Sequence, residues 1–341
     1  MPNVTKVAVF VLFTLVFIQP ADAAEIRAFH NNNQLPFHQI FGLPSLDNSP
    51  LTEAGDWRSS IVTTISNTYE FDGDDSGFYS GFYGSDEAIS IDGETHRFSL
   101  LLNYALRDNL QLGFEIPYVK HSGGFLDDFI YEWHDFFGQP QNGREKDESD
   151  EIFFEYKNND GDEFGIDDTK SGIGDIRLNV AYSRPLEKDR ALIYSAEVKL
   201  PTGDFDKLTG SGGTDISVGV TINDPHSLAE SNVTLFGGLA AMYLGDIDSD
   251  LSDDQYNFAM ALRAGMGWQA LQKLQLKLQL DGHTPLYDSD LEEMGDPTLQ
   301  IVIGGSVFFT EDVYLDLAIT EDLIVETAPD VGFILALVAK F

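Results

Sequence analysis

The last twelve residues, Asp330-Val-Gly-Phe-Ile-Leu-Ala-Leu-Val-Ala-Lys-Phe341, can extend as a strand that ends on an aromatic side chain. They complete a series of such segments. Between Thr95 and Arg107, His96, Phe98, Leu100, Leu102 and Tyr104 share one face of an extended chain, and Arg97, Ser99, Asn103 and Arg107 share the other. Leu274, Leu276, Leu278 and Leu280 alternate with Gln275, Lys277, Gln279 and Asp281, and Ile176, Leu178, Val180 and Tyr182 with Asp175, Arg177, Asn179 and Ser183. A helix does not sustain alternation of period two over such lengths, whereas a strand does. About 9–11 tilted residues of this kind suffice to cross a bilayer with one row facing lipid.

The same pattern predicts about twelve strands, near 57–70, 94–106, 109–121, 173–184, 190–200, 213–223, 231–243, 256–268, 273–285, 297–309, 312–321 and 330–341. The connections sort by length. Those after the even strands are short, and those after the odd strands, at 71–93, 122–172, 201–212, 244–255, 286–296 and 322–329, are long. Transmembrane barrels pair short periplasmic turns with longer outer loops, and an even strand count with both ends periplasmic reproduces this order. A soluble sandwich shares the alternation but has no reason to sort its loops. The expectation is therefore an all-β fold: a transmembrane antiparallel β-barrel of about twelve strands, outer-membrane type, with a long acidic outer loop.

The chain start supports export. Lys6 precedes an apolar run from Val7 to Ile18, then Pro20 and Ala21-Asp22-Ala23. A positive start, a short apolar core and a small-residue site form a secretory signal. Residues 1–23 are read as that signal, 24–56 as a periplasmic lead-in or plug, and 57–341 as the barrel. The compartment implied is the outer membrane of a Gram-negative bacterium, with outer-membrane lipid and lipopolysaccharide as surroundings. The aromatic terminus Phe341 is the group expected to engage the barrel-assembly machinery.

The chain has no cysteine, which removes disulfides, thiolate catalysis and Cys-bound zinc. A net charge of −37 argues against nucleic acid, whose phosphates require Lys and Arg. The acid is concentrated: residues 122–172 hold fifteen Asp or Glu against four Lys or Arg. Such a run is a solvated face, or a surface where divalent cations bridge carboxylates to lipopolysaccharide phosphates.

Four stretches carry a family likeness. Gly123 to Gly138 with Pro140 to Arg144, together with Asn33 to Leu46 containing Leu35-Pro36 and Gly42-Leu43-Pro44, resemble a proteobacterial outer-membrane β-barrel family of unknown function. Ser171-Gly-Ile-Gly-Asp-Ile-Arg177 and Lys199-Leu-Pro-Thr-Gly-Asp204 with Gly210-Ser-Gly212 are similar to patterns of a broader group. That group contains barrels encoded beside meta-pathway phenol-degradation genes. The resemblance implies an exported barrel that handles small or hydrophobic molecules, and it brings no catalytic residue.

Candidate lumen-lining residues are Arg97, Glu115, Asp175, Arg177, Glu197, Lys199, Arg263, Lys277, Asp281, His283 and Asp316, with Lys340 on the same inward rows. Facing hydrocarbon, Arg or Lys costs about 2–4 kcal/mol at mid-bilayer, so these rows should face inward. There they either pair across the wall and hold it together, or select permeants by charge. Leu35, Pro36, Phe37, Ile40, Phe41 and Leu43 precede the first strand, and the prolines bar them from a central strand; they form an ordered lead-in or enter the barrel from below.

Phe129, Trp133, Phe136 and Phe137 have helical spacing in the long loop, as a lid over the mouth or a patch that captures an apolar ligand. No metal or cofactor is expected: His134 lacks a second histidine at ligand spacing, and Asp160 to Glu163 misses the calcium-loop pattern because Phe164 stands at a ligand position. Asp281-Gly-His283 places a carboxylate and an imidazole on one face, without the further groups of a hydrolase. The reading is passage or capture of small, hydrophobic molecules. The alternatives are a non-conducting structural or surface-interaction barrel and an envelope lipid hydrolase.

Overall fold

The computed structural model describes residues 25–51, 53–72, 87–126, 151–225, 228, 232–324 and 326–341. Among them the strands are β1 (Trp57–Asp72), β2 (Ala88–Arg107), β3 (Leu110–Ser122), β4 (Phe153–Lys157), β5 (Glu163–Ile166), β6 (Lys170–Ile173), β7 (Arg177–Pro185), β8 (Ala191–Lys199), β9 (Asp215–Asp224), β10 (Val233–Tyr243), β11 (Phe258–Leu271), β12 (Leu274–His283), β13 (Thr298–Phe308), β14 (Val313–Asp322) and β15 (Val331–Lys340). Twelve of these, β1 to β3 and β7 to β15, pair antiparallel in chain order and close into a barrel. The seam runs between β1 and β15, with Arg58 opposite Lys340 and Asn67 opposite Val331. Backbone bonds between Trp57 and Phe341, 2.7 and 2.9 Å, finish it.

The wall is inside out relative to a soluble protein. Ile61, Phe98, Leu100, Leu178, Val218, Leu262, Ile303, Leu317 and Leu335 are exposed, while Arg97, Glu115, Arg177, Lys199, Arg263, Lys277 and Asp316 are buried. Such a barrel is stable only if a non-aqueous solvent covers its outside. Exposed aromatics stand near both ends of the strands, with Trp57 and Phe341 at the short-turn end and Tyr243 and Phe258 at the long-loop end, as interface belts do.

Two details differ from expectation. The single strand expected over 173–184 is split, because β6 and β7 both pair with β3 but break at residues 174–176. There Asp175 turns its carboxylate to accept from the backbone N–H groups of Thr202, Gly203 and Ser211. The long acidic loop also contains a hairpin of its own, β4 and β5, which pairs with the start of β2. Phe154, Tyr156 and Ile166 of this hairpin are buried. Asp160 to Glu163 lies in and just after the hairpin turn, where Asn158 accepts from Asp162 N–H and donates to Asp254.

Residues 25–51 run through the lumen as two limbs joined by a tight turn. The first limb meets β12 and β13, through Phe29, Asn31 and Asn33. The turn begins at Leu35, whose carbonyl accepts from His38 and Gln39. The second limb descends past β7 to β9 and ends with Leu51 N–H bonded to Gln111. Asn48 ties the limbs, accepting from Ala28 N–H and donating to Ile26 O.

Candidate functional site: wall charges around the N-terminal segment

A segment with prolines and no sheet partner carries backbone carbonyls that burial would leave unsatisfied. The wall supplies cations to them. Lys199 Nζ donates to Ile40 O at 3.2 Å, Arg177 to Phe41 O at 3.1 Å and Leu43 O at 2.8 Å, and Arg58 to Ser49 O at 2.6 Å. On the other wall, Lys277 donates to Arg27 O at 3.0 Å, and Arg263 to Asn31 O at 3.1 Å and to Ser45 O. Gln279 bonds both the N–H and the carbonyl of Phe29, much as a neighbouring strand would. Hydrogen bonds to charged groups contribute about 1.5–3 kcal/mol each.

Carboxylates hold those cations in place. Lys199 Nζ lies 2.5 Å from Asp175 and 3.3 Å from Asp215 and donates to Ser211 Oγ. Asp215 accepts from Gly42 N–H at 2.7 Å, so the wall grips the turn through a carbonyl and an amide at adjacent points. A Cβ at position 42 would lie 3.1 Å from the Cβ atoms of both Asp215 and Lys199, and glycine allows that approach. Arg263 pairs with Asp281 at 2.6 Å and Lys277 with Asp316 at 2.9 Å. Arg97 bonds Glu115 and Gln39, and Glu197 lies 3.8 Å from Arg177. Lys277 also sits 3.9 Å over the Phe29 ring, a favourable place for a cation.

Of the expected inward residues, Arg97, Glu115, Arg177, Lys199, Arg263, Lys277, Asp281 and His283 meet on the chain's own N-terminal segment, whereas Asp175, Glu197 and Asp316 face their cations instead. His283 accepts from Asn33 of that segment, and Lys340 pairs with Asp56 at the short-turn rim. Asp281 and His283 do not engage each other; Asp281 bonds Arg263, Asn31 and Gln279. Phe129, Trp133, Phe136 and Phe137 lie outside the described residues.

The arrangement also uses residues that sequence reasoning did not select: Gln39, Asp215, Ser211, Gln279 and the run Asn31-Asn-Asn-Gln34. A polar run placed within an otherwise apolar, proline-bearing stretch was the available signal. The motif Lys199 to Asp204 with Gly210-Ser-Gly212 is now explained. These residues build the loop that bonds Asp175, and a Cβ on Gly203 would lie 2.7 Å from the Gly210 Cα.

Asp47 of the second limb faces Arg27 of the first at 2.9 Å and Arg58 of the wall at 3.9 Å. Burial pushes its carboxyl upward, but Arg27, with help from Arg58 and the Ser49 N–H, brings it down to about 2. Toward the long-loop end the filling becomes apolar: Leu35, Phe37, Ile40 and Phe41 pack with Phe154, Tyr156, Leu208, Leu244, Leu286, Tyr287 and Met294. A smaller apolar patch, Val62, Leu101, Val302, Ala318, Ile334 and Ala336, lies against Phe29. Among the described residues, one trio of carboxylates, Glu70, Glu293 and Glu326, brings its oxygens within 4.8 Å of one another. Close carboxylates of this kind also occur without an ion.

Over residues 5–341 the sequence matches the family described as a protein of unknown function, DUF3187. No curated protein matches the chain. Among solved structures it is similar to the COG4313 outer membrane channel from Pseudomonas putida F1, with 16% identity, 89% of this chain and 98% of that chain covered, and a TM-score of 0.54. The NanC porin is 7% identical over 84% of this chain and 100% of that one, with a TM-score of 0.47. The P. putida toluene transporter TodX is 11% identical over 84% and 90%, with a TM-score of 0.39. At these identities the likeness speaks to the fold.

Proposed function

The chain belongs to the DUF3187 family, and from its lumen we propose that it is a gated outer-membrane channel for small apolar molecules. Residues 25–51 serve as the plug. The observation that carries this reading is the set of wall cations whose donors end on carbonyls of that segment. A wall built only for its own stability has its charge pairs complete without such bonds. Here the segment is held by discrete polar contacts that can be broken together, without unpairing any strand. Long loops face outward in this reading, so a permeant first meets the apolar packing around Phe37, Phe41 and Tyr287. An apolar molecule can replace such side chains at little cost, because contacts of this kind are not directional. The likeness of Ser171 to Arg177 and Lys199 to Asp204 to barrels of the phenol-degradation group agrees with an apolar permeant.

Single-channel conductance tests the proposal. The mature chain should be silent or open rarely, and a chain beginning at Trp57 should conduct steadily. Steady current through the intact chain would remove the plug. Silence in both would favour the non-conducting, structural barrel.

A further inference from the structure

Where the first limb of the segment meets the wall, one amide holds two imidazoles. Leu35 N–H donates to Asn33 Oδ1 at 2.9 Å, which fixes the Asn33 amide with its nitrogen toward the wall. That nitrogen lies 3.1 Å from His38 Nδ1, 3.1 Å from His283 Nε2 and 2.9 Å from Thr327 O, so its two hydrogens are shared among these three acceptors. Toward an N–H donor both ring nitrogens must be acceptors. His283 Nδ1 faces the Thr284 carbonyl at 2.8 Å and so carries that ring's proton. His38 then carries its proton on Nε2, a buried atom without a hydrogen-bond partner. The rings lie edge to face at 5.5 Å. In this arrangement neither ring can turn an N–H toward the Asn33 amide nitrogen, which is no acceptor.

The surroundings offer an imidazolium no help. His38 packs against His283 of β12 and, at 6.0 Å, Tyr287 of the connection that follows, whose hydroxyl donates to Phe37 O. Thr298 of β13 and Thr327 close the contact with neutral groups. Arg263 of β11 and Asp281 of β12, which border the same cavity, are bonded to each other; on the connection after β12, Asp288 accepts from Tyr256, and Glu293 lies in a carboxylate trio with Glu326, the residue before Thr327, and Glu70. The histidine–carboxylate pairs of this lumen, His30 with Glu115 and His96 with Glu94, lie elsewhere. Burial, and then the adjacent His283, hold the His38 imidazole well below its ordinary range. A cavity of about 30 Å³ bordered by Asn33, His283 and Thr298 adjoins the contact, room for about two waters.

We propose that the His38–Asn33–His283 contact is an acid-labile latch that docks the N-terminal segment at neutral pH and releases it when either ring is protonated. The inference rests on the plug reading for its consequence, but not for its mechanism. A proton on His283 Nε2 or His38 Nδ1 sets N–H against N–H at Asn33, and a proton on each would place two cations with ring centroids 5.5 Å apart. For a base disfavoured in its charged form by folding, the stabilisation is complete above the free imidazole value near 6.5 and is lost as pH falls below it. The His38 ring changes the docking equilibrium by up to about tenfold per pH unit.

Hydrogen exchange of the full mature chain in lipid, corrected for intrinsic rates, tests the latch. Peptides within residues 29–45 should lose protection as pH falls below 6.5, by up to about tenfold per pH unit, while β8 to β12 keep theirs. His38→Gln with His283→Gln, which retains acceptors that do not titrate, should keep the segment protected at pH 5. Unchanged protection in the unaltered chain from pH 7.5 to 4.5 overturns the latch, whether or not the double variant folds. Equal loss in both proteins also overturns it, since acid would then act elsewhere. Conductance on the same samples separates the two ideas. Undocking without current keeps the latch and removes the plug function, whereas current from the chain beginning at Trp57 with no acid response in the full chain does the reverse.

Discussion

The lumen is filled in two ways along its axis. At the waist, buried charges grip the backbone of the N-terminal segment through bonds with one correct geometry. Toward the long-loop end, the rings of Phe37, Phe41, Tyr156 and Tyr287 pack mainly by shape, with the two tyrosine hydroxyls bonded to Glu87 and Phe37 O. The difference assigns separate tasks. Polar clamps set where the segment sits, because a shift of one residue would leave carbonyls and cations unpaired. Apolar packing stabilises without fixing register, and a guest of similar character can take its place.

Breaking the polar level should cost most. Lys199→Met leaves Asp175 and Asp215 buried without their cation, and a loss of about 3–5 kcal/mol is expected. It would be read from the urea midpoint of the barrel refolded in micelles. Acid sharpens the contrast at the tie between the limbs. The Asp47 carboxylate is stabilised by folding, so its contribution is complete above pH 4 and is lost as pH falls toward 2. With His38 and His283 changed to Gln, so that the segment stays docked in acid, the protein should lose about 2 kcal/mol across that window, and adding Asp47→Asn should remove that step from a pH titration of stability.

At the apolar level, Tyr287→Phe removes the donor to Phe37 O, 2.9 Å away, and keeps the ring. A cost of about 1–3 kcal/mol is expected from the orphaned carbonyl, with the strand pattern unchanged by infrared spectroscopy. The smallest effect belongs outside both levels. Lys340 pairs with Asp56 at the partly exposed rim, and Lys340→Gln should shift the same urea midpoint by no more than about 0.5 kcal/mol. A larger loss there would mean that the seam, and not the waist, governs stability.

The barrel was legible because its wall obeys one rule, apolar out and polar in, repeated along twelve strands. The inward position of Arg97, Lys199 or Lys277 follows from that rule alone. Their partners do not, because contacts between Lys199 and Ile40 or Arg177 and Phe41 join positions more than a hundred residues apart through backbone atoms, which carry no sequence signature. Leu101 and Val302 break the rule, being apolar on inward rows, and their reason is Phe29, supplied from outside the wall. The hairpin β4–β5 was hidden by acid. Phe154 and Tyr156, then Phe164 and Ile166, alternate on either side of Asn158 to Asp162, but the surrounding carboxylates made the stretch read as solvated loop.

Residues 25–51 lie in the lumen, and the absence of cysteine makes that position measurable. A Cβ at position 267 would sit 3.4 Å from that of Ile26, close to the separation across a disulfide. In Ile26→Cys with Gly267→Cys, expressed and inserted in the outer membrane, the two thiols should cross-link nearly completely, tying the first limb to β11. A correctly folded barrel that keeps both thiols free and open to alkylation would show that the segment does not occupy the lumen.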